Sequence, residues 1–270
     1  MGQAVTRSGR SGRRRKGTSA ANADAEARAL RSYRVWDAGT RWFHWINALC
    51  VIALAVVGYV ILQAKGLDIS NDGKVTLKTI HTWIGYAFAL NLLWRIVWAF
   101  LGNRYAQWRA VLPGGPGYLH AMRSYVAAFI AGHPQHYLGH NPVARLGIAL
   151  LFLLIAIQAV TGLLLASTDL FYPPFGHWIA QWVAAPGVDP GTLVPYAPEM
   201  YDKVAYDGMR ALRRPFAVAH LYSFYALSVL VVLHVAAVVV TEVREGGSLT
   251  SAMFTGRKIV PGHPVDEEQP

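Results

Sequence analysis

Histidine is the residue type in this sequence best suited to hold a reactive cofactor. Four of the ten histidines lie in or beside long apolar stretches, whereas the other six lie in more polar segments. The chain has a single cysteine, Cys50, so internal disulfides, cysteine-bound iron–sulfur clusters and covalent C-x-x-C-H haem are excluded. Histidines at membrane depth usually mark a functional site. The four candidates are His44, His81, His220 and His234.

The elements that must position these histidines are four apolar stretches. The 270 residues are 54% hydrophobic and 15% charged, a balance that soluble domains of this length rarely show. Each stretch has about the 20 residues that a helix needs to cross a bilayer core. The sequence therefore predicts an all-α integral membrane protein, a four-helix bundle with spans near residues 43–62, 79–101, 146–167 and 216–240.

Charged residues sort by loop and predict the orientation of the spans. Residues 1–33 are rich in arginine without an apolar run, which indicates a disordered basic tail before a membrane domain over residues 34–260, and a second disordered tail follows at 261–270. The loop between spans two and three carries four arginines and no acidic residue, whereas the next loop carries five acidic residues. By the positive-inside rule both termini are cytoplasmic. The formal net charge of +10 then reflects topology, and no nucleic-acid partner is expected.

Two amphipathic segments are predicted to lie along the membrane surfaces. Residues 117–131 place apolar side chains at helical spacing and would lie on the inner surface. Residues 176–184 would form a short helix on the exterior, where a partner could dock.

Depth along the spans sorts the four histidines into two levels. With the amino terminus inside, His44 lies near the inner end of span one and His81 near the outer end of span two. Span four runs inward, so His220 is outer and His234, 14 residues later, lies about 21 Å deeper. The same step leaves the two side chains within about 40° of one another around the helix. We therefore expect two b haems, an outer one bound by His81 and His220 and an inner one bound by His44 and His234.

Other roles for these histidines stay open at this stage. A single histidine such as His44 or His81 could be an interfacial residue that hydrogen-bonds to a carbonyl or to water. A proton relay or a zinc site would need acidic partners, and no Asp or Glu lies within the four spans. A haem-free four-helix transporter or scaffold is the rival from another functional class, and it predicts no visible absorption.

Small and cationic residues near the histidines suit a porphyrin. Gly58, Gly85 and Gly162 would let helix backbones approach the macrocycle, although glycine also packs membrane helices against one another. Haem propionates need cationic or hydrogen-bonding partners near each membrane face, but ordinary interfacial anchoring explains such cations equally well. The candidates are Arg41 and Arg95 on the inner side and Lys78, Arg213 and Arg214 on the outer side.

The segment GHPQHYLGHN, residues 132–141, brings three histidines to the inner mouth of span three. A metal site is one interpretation, but the Pro and Gly residues disfavour a fixed ligand geometry. His140 and Asn141 would lie beside the inner haem, where neutral hydrogen-bonding side chains could hold the carbonyls of a quinone. A helix N-cap at Asn141, directly before Pro142, is the competing interpretation.

The segments FHWINAL (43–49) and RIVWAFLGNRYA (95–106) resemble the bacterial cytochrome b561 superfamily, and within it the b-type cytochrome subunit of membrane-bound nickel-iron hydrogenases. The resemblance runs from about residue 34 to residue 260. It implies a multi-pass protein of the bacterial inner (cytoplasmic) membrane with two b haems. It also implies that the ligands to the haem iron are His44, His81, His220 and His234, which agrees with the pairing by depth.

The resemblance implies that the chain transfers electrons between a periplasmic redox partner and the membrane quinone pool. The partner would be a hydrogenase-like enzyme or a cytochrome c. The stretch AHLYSFY around His220 lacks the histidine-rich run typical of the hydrogenase subunits, so a different dehydrogenase stays open as the partner. Whether the chain itself reduces quinone is also open, and a stand-alone quinol oxidase of the cytochrome b561 type is the alternative function.

Overall fold

The computed structural model describes residues 29–245 and 248–267, and these ranges are mostly helical. A two-stranded antiparallel sheet pairs β1, Leu30–Arg34, with β2, Arg257–Pro261. Two short 3-10 turns, Pro190–Thr192 and Pro198–Met200, precede the last long helix. The helices are α1 (Ala38–Leu62), α2 (Asn71–Leu101), α3 (Trp108–Val111), α4 (Tyr118–Ile130), α5 (Pro142–Leu170), α6 (Gly176–Val183), α7 (Lys203–Glu245) and α8 (Leu249–Thr255).

Four helices, α1, α2, α5 and α7, are long and apolar enough to cross a membrane. The four predicted apolar stretches fall within them, so the prediction of four spanning helices is confirmed. Helices α4 and α6 occupy the two segments predicted to be amphipathic. Helix α7 is longer than predicted, because it begins at Lys203 rather than near residue 216 and continues through Pro215. Its first turns carry charged residues such as Arg210, so the apolar stretch in the sequence begins later than the helix does.

Asp37 fixes where α1 begins. Its Oδ1 accepts a hydrogen bond from the Thr40 N–H at 2.7 Å, the usual contact of a helix N-cap, and Trp98 Nε1 donates to the same oxygen at 2.9 Å. Burial by itself raises the pKa of the Asp37 carboxyl, but the hydrogen bonds, led by those from the Thr40 and Asn103 backbones, lower it below its ordinary value. The charged carboxylate therefore ties the start of α1 to the end of α2.

The spans pack as two pairs. Helix α1 packs against α2, α5 packs against α7, and α2 against α5 joins the pairs. Within the described ranges, the main backbone contacts of α7 are with α5, α6 and α8. Helix α7, which carries His220 and His234, therefore has its main packing on α5 rather than on α1 and α2, the helices of His44 and His81.

One end of the bundle, here called the terminal face, is closed by both ends of the described chain. The β1–β2 sheet, α8 and the loop before α5 cover this end, and their core comprises Val35, Trp36, Tyr105, Leu138, Ala252 and Val260. The sequence predicted disordered tails through residue 33 and from residue 261. The structure differs, since Leu30–Arg34 is a strand and the Asp266 carboxylate accepts hydrogen bonds from the N–H groups of Leu138 and Gly139 at 2.6 and 2.8 Å. Residues 1–28 and 268–270 of the two predicted tails lie outside the described residues.

The opposite end, here called the loop face, is formed by the connection between α5 and α7. Its small core consists of Val183, Tyr201 and Met209. Asp169, at the end of α5, pairs there with Lys78 of α2 and Arg213 of α7 at 2.8 and 2.7 Å. The loop face is therefore fixed by one carboxylate that joins three spans.

Candidate functional site

The best-defined histidine pair lies at the loop face. His81 of α2 and His220 of α7 face each other with ring centroids 6.3 Å apart and ring planes at 74°. The two residues are 139 positions apart in the sequence, so only the packing of the spans brings them together. These are the two histidines that depth along the spans assigned to the outer haem, and their binding of haem stays a prediction.

The separation of the two rings suits one metal ion between them. A metal–imidazole bond is about 2.0 Å and the ring centroid lies about 1.1 Å beyond the nitrogen, so two axial ligands have centroids about 6.2 Å apart. The observed 6.3 Å agrees with this value. Within the described ranges, no three His, Cys, Asp or Glu side chains converge on one point, so the donor set here is a pair of histidines. A pair of imidazoles is a donor set that would hold a b-type haem.

Two glycines leave space beside these rings. A β-carbon at Gly58 of α1 would lie 3.2 Å from Cε1 of His81, and one at Gly162 of α5 would lie 3.4 Å from Cε1 of His220. A β-carbon at Gly85 would meet no atom within 4 Å. Two of the three glycines singled out from the sequence therefore border the imidazoles themselves, and the third borders open space.

Polar residues of α5 hold His220, and sequence reasoning missed them. Thr161 Oγ1 lies 2.8 Å from His220 Nδ1, and Gln158 Nε2 donates to the His220 carbonyl at 2.8 Å. Gln158 Nε2 also donates to Ser223 Oγ at 2.9 Å. The sequence feature that could have predicted this contact is the pair Gln158 and Thr161. These polar residues are three positions apart and therefore share one face of an otherwise apolar span.

The second histidine pair lies toward the terminal face. His44 is in the second turn of α1, and its Nδ1 is shielded from solvent without a hydrogen-bond partner among the described residues. His234 of α7 lies 14 residues beyond His220, about four helical turns toward the terminal face. The two residues predicted to bind the inner haem therefore both lie toward the terminal face, and their binding of one haem stays a prediction.

An apolar layer separates the two histidine levels. It contains Cys50, Phe88, Leu92, Ile155 and Leu227, contributed by all four spans. Phe88 is seven residues beyond His81, and Leu227 is seven residues from both His220 and His234. Seven residues are about two helical turns, so these side chains lie on the same helix faces as the histidines.

Arg95, a predicted propionate contact, lies buried near the terminal face with one nitrogen unpaired. Its side chain is 3% exposed, Nη2 donates to the Ala106 carbonyl at 2.8 Å, and Nη1 has no hydrogen-bond partner within the described ranges. Its guanidinium carbon lies 5.4 Å from the ring centroid of Phe152. An unpartnered buried donor is costly, so this site favours an anionic group. Arg41 resembles it, because its Nη1 donates to the Phe254 carbonyl while its Nε is shielded and unpartnered among the described residues.

Two of the three predicted propionate contacts at the loop face, Lys78 and Arg213, are already paired within the protein. Lys78 and Arg213 both bind the Asp169 carboxylate, whose side chain is 17% exposed. A propionate would have to share these cations with Asp169. Their role toward haem stays a prediction, and their contact with Asp169 accounts for their positions.

His140 and Asn141 occupy different environments although they are neighbours. Asn141 Oδ1 accepts the Ala144 N–H at 2.7 Å and its Nδ2 donates to Tyr125 Oη at 2.9 Å, so Asn141 caps α5, the competing interpretation. A quinone contact at Asn141 stays a prediction and would have to displace one of these bonds. The His140 ring lies 4.8 Å from the Trp36 ring, and its Nδ1 is shielded without a partner among the described residues. Burial, together with nearby cations led by Lys258, lowers the pKa of His140 to about 3, so the imidazole is neutral.

Comparison with known proteins gives the family of this chain. The family described as prokaryotic cytochrome b561 matches residues 35–256, which include all four spans and all four histidines. The chain belongs to the prokaryotic cytochrome b561 family. Membership makes it a prokaryotic membrane protein and implies haem b and electron transfer in the membrane. No solved structure matches the chain.

Relatives of this cytochrome b561 protein carry hydrogenase names. A probable Ni/Fe-hydrogenase 1 B-type cytochrome subunit of Escherichia coli (strain K12) is 34% identical over 156 residues, which cover 53% of this chain and 64% of that protein. Probable Ni/Fe-hydrogenase B-type cytochrome subunits of Bradyrhizobium diazoefficiens and Rhizobium leguminosarum bv. viciae are 28% and 27% identical. These two matches cover 83% and 90% of this chain, and 85% and 95% of the two relatives. The chain is therefore similar to hydrogenase b-type cytochrome subunits through most of its membrane domain.

Proposed function

We propose that this chain passes electrons across the membrane between a periplasmic redox partner and quinone through two b haems, one bound by His81 and His220 and the other by His44 and His234. The observation that carries the proposal is the 6.3 Å separation of the His81 and His220 rings, which suits two imidazoles that would hold one haem between them. The glycines beside both rings, and the unpaired nitrogen of Arg95 at the other end, support the same cofactor.

The residues of the chain have separable roles in this proposal. Haem b supplies reversible one-electron exchange when it is bound. The imidazoles would hold each haem at a set depth, and the apolar layer around Phe88 and Leu227 would keep water from the path between the two levels. Arg95 offers a buried cation to a propionate, and the charge of that cation favours the reduced, more negative state of the nearby site.

We place quinone at the terminal face, beside the His44 and His234 level. His140 supports this placement because it is neutral and its shielded Nδ1 has no partner within the described ranges. A neutral imidazole can donate one hydrogen bond to a quinone carbonyl or accept one from a quinol hydroxyl. With both termini in the cytoplasm, quinone reduction at this face would take up protons there, and the reverse reaction would release them.

The haem assignment is tested by absorbance spectra of purified protein. We expect about two haems b per chain in reduced-minus-oxidised spectra with haem quantification. His81→Ala and His234→Ala should each remove one haem, and they should remove different ones. The matched control is His120→Ala, because His120 is exposed in α4 and should leave both haems in place. Purified protein without haem would refute the cytochrome function and leave a haem-free transporter or scaffold as the remaining function.

The partner is tested by the electron donor that reduces the haems in native membranes. The names of the relatives support a hydrogenase-like partner, so hydrogen gas should reduce the haems in membranes that contain the intact complex. Haem reduction by added quinol alone, with no response to hydrogen or to reduced cytochrome c, would instead support a stand-alone quinol oxidase.

A further inference from the structure

Helix α5 supplies none of the four proposed haem ligands, yet one of its side chains contacts the ligand His220 directly. Thr161 of α5 places Oγ1 2.8 Å from His220 Nδ1. Thr161 is 5% exposed, so water does not compete for this contact. The neighbouring Gly162 leaves the ring just enough room, since even a β-carbon at this position would lie only 3.4 Å from Cε1 of His220.

The direction of this hydrogen bond follows from the single proton on the Thr161 hydroxyl. The hydroxyl donates to the Ile157 carbonyl at 2.6 Å, one helical turn earlier. Because that proton is used, Oγ1 can only accept at its contact with His220. His220 must therefore carry its proton on Nδ1 and keep the lone pair on Nε2.

The same support is missing from His81 and His44. Nδ1 of His81 and Nδ1 of His44 are both shielded from solvent, and neither has a hydrogen-bond partner among the described residues. The pair at the loop face is thus asymmetric, with one ligand oriented by a hydroxyl and the other by packing alone. A partner on Nδ1 orients a metal-binding imidazole and raises its basicity toward the metal.

We propose that Thr161 is a positioning residue for the loop-face haem: it fixes the tautomer and orientation in which His220 Nε2 binds iron and, by accepting the Nδ1 proton, lowers the midpoint potential of that haem. The inference rests on the proposed function, because it assumes that His81 and His220 hold a haem. A more basic axial imidazole stabilises the oxidised iron, which sets the sign of the effect.

Gln158 also helps to position His220, through a hydrogen bond to its backbone carbonyl. Its Nε2 donates to the His220 carbonyl and to Ser223 Oγ, so α5 holds both the main chain and the ring of His220. Gln158, Thr161 and Gly162 are spaced i, i+3 and i+4, which places them on one face of α5.

The test compares three variants by redox titration of each haem and by electron paramagnetic resonance of the oxidised protein. Thr161→Val keeps the shape of the side chain and removes the acceptor, whereas Thr161→Ser keeps the hydroxyl. Thr168→Val is the matched control, because Thr168 is also buried in α5 and back-bonded to Leu164 but contacts no histidine in the described hydrogen-bond network. We expect Thr161→Val to raise the midpoint potential of the haem that His81→Ala removes and to shift its resonance signal, with the other haem unchanged. Thr161→Ser and Thr168→Val should match the unaltered protein.

Several results would overturn the proposal. One is an unchanged potential and signal for both haems in Thr161→Val. Another is an equal shift in Thr161→Ser or Thr168→Val, which would indicate a general packing effect. Selective loss of the loop-face haem in Thr161→Val, with full occupancy in Thr161→Ser, would support positioning even where no potential can be measured. Unchanged haem content in His220→Ala would refute the proposed function instead, so the two failures are distinguishable.

Discussion

Gly58 and Gly162 set the space available to the loop-face imidazoles. Each glycine comes from a helix that carries no ligand of that pair, α1 for His81 and α5 for His220. Glycine is common in membrane helices because it lets neighbouring backbones approach closely. Here the close approach is to a side chain, so the two glycines act on the orientation of the histidines as well as on helix packing.

Gly58→Ala should lower haem occupancy at the loop face. The added methyl group would lie 3.2 Å from Cε1 of His81, closer than an ordinary contact, and the ring would have to shift. The effect is measured by haem quantification and by the midpoint potential of the loop-face haem that is still bound. Gly147→Ala is the matched control, since Gly147 is 15 residues from Gly162 in α5, its methyl group would meet no atom within 4 Å, and alanine favours a helix by about 1 kcal/mol over glycine. Equal haem content in the two variants would contradict this account.

At the scale of elements, the four spans and the meeting of His81 with His220 could be predicted from the sequence. Apolar length gave the spans, and the 14-residue step from His220 to His234 put both on one face of α7. The hydrogen bond from His220 to Thr161 could not be predicted, because it depends on how α5 rotates against α7. The ion pairs of Asp169 were hidden for the same reason, since Lys78, Asp169 and Arg213 come from three helices whose mutual register is set by packing.

Asp169→Asn should destabilise the bundle by removing the charge that joins these helices. It would leave two cations, 23% and 26% exposed, without the carboxylate that both now share. We expect a loss of about 1–3 kcal/mol, seen as a lower midpoint of thermal unfolding in detergent. Asp207→Asn provides the comparison, because the Lys203–Asp207 pair is 3.7 Å long and mostly exposed and should contribute almost nothing. An unfolding midpoint as low in Asp207→Asn as in Asp169→Asn would argue against this role for Asp169.

Across the whole molecule, the end of the chain holds the loop that leads to His140. Asp266 accepts hydrogen bonds from the N–H groups of Leu138 and Gly139, and Lys258 Nζ donates to the Tyr137 carbonyl. The Val265 N–H also donates to the His136 carbonyl at 2.8 Å. The proposed quinone contact is thus positioned by residues more than 100 positions later in the sequence.

Asp266→Ala should loosen this loop without affecting haem binding at the loop face. Two backbone N–H groups would lose their acceptor, so we expect faster proteolytic cleavage within residues 133–141, together with a higher KM for quinone. Asp189→Ala serves as the control, because Asp189 accepts from Gly191 within its own turn at the opposite face. Unchanged cleavage in Asp266→Ala would show that the loop is held by other contacts.

The pairing of β1 with β2 also affects the order in which the parts of the molecule fold. Leu30 pairs with Pro261 and Arg34 pairs with Arg257, so the partners are separated by 223 to 231 residues. Every membrane-spanning helix of the described chain lies between them and is synthesised before β2. Contacts of such long sequence separation form late in folding. The four spans therefore insert first, and the cover over the His44 end of the bundle is the last part of the fold to close.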